Sequence, residues 1–479
     1  MSIDVAAAIA ANRFGLGARP GDLTAIAEDP QGWRRAQLPG GAPLMETAGL
    51  QSTQQILSGA EPIVRERREA RQARTVAAGT DTGNTGPALA DPAARANMAM
   101  RLPQYLRPIY VNDTRARLHA ALLSNRPFAE RLVHFWSNHF AVSVDKLAVL
   151  GIAGSFEREA IRPHVMGRFR DLLLAVETHP AMLLYLDNQQ SVGPDSTLAR
   201  RAAQRGHTLG LNENLAREIL ELHTLGVDAG YTQADVTSFA KVLTGWSIGG
   251  GQGRLANGPI GAFVFRTEVH EPGAQTVVRK RYAEADQAQG LAVLADLAAA
   301  PATAQHIATK LARHFIADDP PAAAVEHIAR AFERSGGHLP AVYAAVIESP
   351  QAWDGASVKF KTPQDYLFSL ARGLALPPAS EPRVLSAFEL LGQRQFAPGS
   401  PAGWPDRSSD WDGASALMKR IELSDAIAQK LSDQRDAMQL APQLLGGTLS
   451  AATRESIARA ASPAQALTLL LTAPEFLRR

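Results

Sequence analysis

Apolar positions along the chain recur mostly three and four residues apart and strict alternation is rare, so the sequence predicts a mainly α fold. Residues 3–12 and 20–36 predict short helices around the turn "GLGARPG". Residues 61–75, "EPIVRERREARQART", predict a charged helix, its face either solvated or a partner surface. Residues 76–96 are poor in bulky apolar side chains and predict a flexible linker or surface excursion. Helices are expected again from about 97 to 186, followed by a long polar loop over 187–212.

Two helices are expected within 212–246. The first has Asn212 as N-cap and stops at Gly226; the second starts from a Thr232/Asp235 capping box and buries Val236, Phe239, Ala240 and Leu243. Residues 247–285 then read as a Gly-rich loop and hairpin insertion, with "AFVFRTEVHEPGAQTVV" supplying two strands around "EPGA". Thr362, Pro363 and Asp365 open another helix. The expected architecture is a single large multi-helix domain with one small β-hairpin and long ordered loops. The alternative is two helical subdomains meeting near 187–212 or 247–285.

Composition narrows the function classes. A formal net charge of +2 over 479 residues gives nucleic acid no electrostatic footing. The absence of cysteine removes disulfides, thiolate catalysis and Cys-ligated metals. The first residues lack a basic signal-peptide region and no apolar run is long enough for a transmembrane span, which makes the cytoplasm the default location.

Candidate chemistry gathers in a few polar clusters. In "ERLVHFWSNHFAVS", a helical wheel puts Phe128, Leu132 and Phe135 on the apolar face with His139 near its centre. His134 falls roughly 140° away, so the two histidines cannot share one ion. His139 is then a core histidine or a pocket-floor histidine, and His134 an exposed or carboxylate-paired one.

In "NENLAREILELHTLG", Leu215, Ile219 and Leu222 form the expected core face and Glu213, Arg217 and Leu220 the opposite one. Glu218 and Glu221 lie along one flank, where partial burial would suit acid–base work or a hard cation. Equally, Glu213, Arg217 and Glu221 have the spacing of an ordinary ion ladder. Asp187, Asn212 and Asn214 bracket the 187–212 loop and offer oxygen ligands to a divalent metal, or simply caps and turns. His270 sits in the "HEPG" turn, and Trp404 and Trp411 occupy a Pro- and Ser-rich loop suited to stacking or to packing on the helices. There is no P-loop, GxSxG or HExxH signature.

Taken together, "FWSNHFAVS", "YLDN", "NENLAREILELHTLGVDAGYTQADV", "LTGW", the His-acid-x-Gly turn, "FKTP" and "GWP" resemble the bacterial family known as domain of unknown function 1800, from near residue 12 to the last helices. Mapped by position, the family pattern falls on Trp136, Asn138, His139 and Phe140, on Asp187 and Asn188, and on Asn212, Glu213, Asn214, Arg217, Glu218, Glu221 and Gly226. It also falls on Trp246, His270, Gly273, Lys361, Pro363, Trp404 and Pro405. Ser137 stands where similar sequences often carry histidine, and Gln275 where a lysine is expected. The resemblance implies no established activity. It does imply a gene neighbour encoding an exported protein similar to sulfatases and alkaline phosphatases, hence a partner with which a leaderless chain would leave the cell.

Two functional expectations follow. One is a hydrolytic enzyme in which Glu218 and Glu221 supply acid–base chemistry or hold a divalent metal with His139 or His270 assisting. Arg217 and Lys361 then bind an anionic group, and Asn138, Trp246 and Trp404 complete the binding surface. The other is a non-catalytic helical protein that binds, matures or escorts an exported partner through its loop tryptophans and Arg-rich helix.

Overall fold

A computed structural model describes residues 3–79, 92–227, 229–250, 256–354, 359–377 and 381–479. These are mainly helical, with only two small two-stranded antiparallel sheets. Among the described residues no single helix is long and apolar enough to cross a membrane.

Two apolar clusters organise the body. The larger gathers Phe128, Trp136, Phe140, Phe169, Phe239 and Phe332. The smaller is built from late helices through Tyr366, Leu370, Leu467, Leu470 and Phe476. The N-terminal segment stitches them together, with Ile9 and Phe14 in the first cluster and Ala7 and Ala10 in the second. Burial of such side chains, about 1.5–3 kcal/mol each, is the main force holding the body together.

Local signals produce the helices they predict. Thr232 accepts from the Asp235 N–H while the Asp235 side chain accepts from the Thr232 N–H, so helix Gln233–Leu243 starts at a full capping box. The Thr362 hydroxyl accepts from the Asp365 N–H and so caps helix Pro363–Gly373, with Pro363 in the first turn. The charged 61–75 stretch lies within helix Thr53–Gly79, which packs against helix Pro92–Leu123. Of the expected linker, 76–79 and 92–96 are helical and 80–91 lie outside the described residues.

Three sequence expectations need correction. The 187–212 stretch is not all loop: it carries the 3₁₀ turn Asn188–Gln190 and helix Thr197–Ala203, capped by Ser196. Nor does "EPGA" turn a hairpin. Strand Phe263–Phe265 pairs back with Trp246–Ile248, and Gln275–Val277 pairs with Lys280–Tyr282. The real turn uses Val278 and Arg279 at φ 46° and 63°, where glycine or asparagine would be expected, and Asp235 Oδ1 accepts from the Val278 N–H at 2.7 Å.

The third correction concerns 212–226, which is not one regular helix. An α-turn over Asn214–Glu218 passes into the π-helix Ile219–His223. The wider turn changes the angular phase, so Leu220 is fully buried while Leu222, expected in the core, is only half-buried.

Candidate functional site

A cavity of about 400 Å³ opens where the two apolar clusters meet. Phe135 and Val142 come to it from the larger cluster and Trp404 from the edge of the smaller. The junction of two packed bodies is a common place for a ligand site.

Helix Pro127–His139 forms one wall. Phe128 and Leu132 fix its apolar face in the core as the helical wheel requires, Trp136 is buried beside them, and Phe135, also expected there, lines the cavity. Asn138, at its C-terminal end, reads the backbone of the opposite loop. Its Nδ2 donates to the Trp404 carbonyl at 2.8 Å, and its Oδ1 accepts from the Trp404 N–H at 2.7 Å. Gly403 allows that approach: its φ is +82°, and a Cβ there would lie 2.3 Å from the Asn138 carbonyl oxygen. Asn138 thus holds in place the loop that carries Trp404 and Asp406.

Buried ion pairs brace the wall. Arg162 makes two 2.7 Å contacts with Glu130 and one of 3.2 Å with Glu157. Glu157 also takes Arg117 and the Ser137 hydroxyl at 2.7 Å. Burial pushes the Glu157 carboxyl up, but Arg117 and Arg162 outweigh it and hold it below the usual carboxylate range. Further in, Asp365 pairs with Arg131 and with Arg479, each at 2.9 Å. Asp406 accepts from His314 Nδ1 at 3.0 Å and lies 3.4 Å from Lys359 and 3.6 Å from Arg479. Burial opposes both charges, yet Arg131 and Arg479 around Asp365, and the His314 N–H with Lys359 and Arg479 around Asp406, hold both carboxyls below the usual carboxylate range.

The most distinctive wall is helix Pro301–Phe315. Its apolar residues Ala304, Ile307, Ala308, Leu311 and Phe315 are buried, and the remaining stripe presents His306, Lys310, Arg313 and His314 to the cavity. His306 Nε2 donates to the Leu222 carbonyl at 3.1 Å and His139 Nε2 to the His223 carbonyl at 3.2 Å. Both imidazoles therefore carry their proton on Nε2, and both satisfy carbonyls at the end of the π-helix. Burial lowers His306 and His314 to about 4 and His139 well below the ordinary histidine value, so all three are neutral near pH 7.

Lys310 stands apart. Six lining side chains are lysine or arginine and four are carboxylates. Arg117 and Arg131 are paired as above, Arg394 pairs with Asp145, Arg407 with Asp319, and Arg313 donates to the Asp318 carbonyl. Among the described residues lining the cavity, Lys310 is the one cation with neither a hydrogen bond nor an ion pair. Burial lowers its pKa to about 8; Asp406 pulls it up and Arg313 pushes it down.

The sequence-derived candidates divide sharply. Asn138, His139 and Trp404 line the cavity. Glu218, Glu221, Arg217, Lys361, His270 and Trp246 do not. Arg217 bridges Glu213 at 3.2 Å and Glu221 at 3.3 Å, the ladder its spacing allowed. Glu218 is half-buried and its carboxyl is raised by burial, but the π-turn leaves Leu222, not the two glutamates, facing the cavity. Lys361 is buried with its Nζ unpartnered, 4.6 Å from the Phe476 ring centre. His270 Nδ1 donates to the Thr244 carbonyl at 2.8 Å, and Trp246 is fully buried.

Asp187 pairs with Lys146 at 2.6 Å, while Asn212 Oδ1 accepts from the Asn214 N–H at 2.9 Å. The bracket's side chains are thus taken up by an ion pair and a turn contact. Among the described residues no group of three or more histidine, aspartate or glutamate side chains is placed to hold a metal ion. His134 is buried, 3.8 Å from Glu130, with neither ring nitrogen hydrogen-bonded.

Sequence reasoning missed His306, Lys310, His314, Asp406, Asp365 and Arg131. The signal for the first three was present: 306, 310 and 314 are spaced i, i+4, i+8 opposite an apolar face.

The fold and this cavity define a mainly helical protein with a cation-rich cavity at the seam of two apolar cores. The chain belongs to the family described as "Protein of unknown function (DUF1800)", which it matches over residues 9–478. No curated protein and no solved structure matches it.

Proposed function

We propose that the protein is an enzyme that takes a small organic anion into the 400 Å³ cavity and acts on it by acid–base chemistry. The observation that carries this reading is Lys310, a cavity-lining amine with no ion pair among the described residues. A charge left without a partner inside a cavity is costly unless a ligand completes it, and a lysine brought near neutrality serves as a base at ordinary pH. Hydrolysis fits as the reaction class, with Lys310 rather than the Glu218/Glu221 pair activating water.

Calorimetric titration with a panel of small carboxylates and inorganic phosphate tests the reading. Loss of one charge-assisted contact should weaken binding about tenfold or more in Lys310→Ala, while Glu221→Gln binds as the wild type does. Binding that ignores the Lys310 change, or that collapses in Glu221→Gln, refutes it.

The second reading, a protein that binds or escorts an exported partner, draws on helix Ala414–Leu431. That helix leaves Met418 and Ile421 exposed within one turn of each other. It expects Met418→Lys/Ile421→Lys to abolish partner binding in a pull-down while anion binding is unchanged.

A further inference from the structure

The lone amine of Lys310 has a second chemical use besides attracting charge. Asp406, the carboxylate that acts most strongly on it, is already engaged by His314, Lys359 and Arg479. Along the same helix face its neighbours at i−4 and i+4 are imidazoles held neutral, so neither supplies a counter-ion. Meanwhile Arg394 and Arg407 line the cavity yet remain roughly half-exposed, each sharing a surface carboxylate, and so offer positive charge to an entering anion. One part of the cavity can therefore hold a carboxylate while another presents an amine that no ion pair locks in its protonated form.

Resting on the reading of the cavity as an anion site, we infer that Lys310 is a nucleophile that forms a Schiff base with an oxo acid, a small ligand bearing both a carboxylate and an aldehyde or ketone. The Nζ lone pair attacks the carbonyl carbon and the C=O π pair moves to oxygen, giving a carbinolamine. The carbon–oxygen bond then breaks, and the two protons from nitrogen leave with that oxygen as water. No oxidant, reductant or metal is needed. Desolvation and a nearby guanidinium are recognised ways of keeping a lysine unprotonated for this step. An amine held near 8 instead of 10.5 is neutral about 300 times more often at pH 7.

The test uses the full chain with glyoxylate, pyruvate or 2-oxoglutarate, each with sodium cyanoborohydride, followed by peptide mass mapping. Lactate, which lacks the carbonyl, is the control. The expected result is a reduced adduct on Lys310, equal to the ligand mass less one oxygen, formed far faster than on exposed Lys430 and absent with lactate. Lys310→Met should lose that adduct. If this variant does not fold, as judged by its circular dichroism melt, the wild-type peptide map decides alone.

Calorimetry on the same ligands separates the two ideas. Oxo acids that bind but leave Lys310 unmodified, or that modify Lys310 and Lys430 at equal rates, overturn the Schiff base and leave the anion site standing. If none of the three binds or labels Lys310, both are overturned.

Discussion

Lys361 offers the sharpest energetic test, because the fold places it where an amine is least welcome. It is 1% exposed, its Nζ has no hydrogen-bond partner, and burial lowers its pKa from 10.5 to about 7. Unfolded, the same lysine binds its proton up to the ordinary value. Between about pH 7 and 10.5 the unfolded chain therefore carries more protons, and stability must rise with pH across that window. At 1.36 kcal/mol per pKa unit, the penalty approaches about 5 kcal/mol well below pH 7. It is about 4 kcal/mol at pH 7, about 2 at pH 9 and under about 1 at pH 10.

Lys361→Met removes that penalty and keeps the length of the side chain. It exchanges a cation–π contact with Phe476 for a sulfur–aromatic one, at a net loss of about 1 kcal/mol. The variant should then be more stable than the wild type by about 3 kcal/mol at pH 7, with the gain gone near pH 10. Urea midpoints at pH 6, 7, 9 and 10, with the m-value unchanged, measure this. A gain independent of pH, or a variant less stable at pH 7, refutes the reasoning and means the amine has a partner. Because Lys361 does not line the cavity, anion binding by the variant should equal that of the wild type.

Other substitutions follow from the same contacts. Asn138→Ala strips both hydrogen bonds from the Trp404 backbone and should cost about 2 kcal/mol, read as a lower urea midpoint, and weaken anion binding by freeing the loop. Gly403→Ala meets both a +82° φ and a 2.3 Å clash, so it should lower the midpoint further still. Asp365→Asn leaves Arg131 and Arg479 without their carboxylate and should cost about 3–5 kcal/mol at pH 7. Since the folded-state pKa of Asp365 is depressed, its contribution is present above the ordinary value of 3.8 and lost as pH falls below it. The deficit of the asparagine variant should therefore shrink in acid unfolding measurements.

What could be read from the sequence was local. The Thr232/Asp235 box, the Thr362 cap and the burial of His139 depend on neighbours within one or two helical turns. Strand pairing is not local. "AFVFRTEVHEPGAQTVV" contains two real strands, but periodicity cannot say that Phe265 pairs with Trp246 rather than across the "EPGA" turn. The true second hairpin escapes notice because Val278 and Arg279 adopt positive φ with no sequence mark, braced by Asp235 forty-three residues earlier.

The candidate site was misplaced for a related reason: a helical wheel assumes a constant turn, and this protein breaks that rule where it matters. π-Turns are costly and tend to persist where function needs them. Three occur among the described residues; two supply a cavity-lining residue and the other ends two residues before one. The first, Ala10–Phe14, delivers the Gly15 carbonyl to Arg131 at 2.6 Å and Leu16 to the lining. The second, Glu157–Ile161, begins at Glu157, which holds Arg117 and Arg162. In the third, Ile219–His223, the phase change turns Leu222 into the cavity and leaves two carbonyls for His139 and His306. Glu218 and Glu221 thus keep the half-buried flank the wheel gave them, but the cavity opens beside Leu222, while the regular 301–315 helix carries Lys310. If the π-turn serves the site, deleting one residue from Ile219–His223 to restore α-geometry should cost anion binding more than stability. Equal binding in a folded deletion variant, measured by calorimetry beside its urea midpoint, would mean that the π-turn is only a packing accommodation.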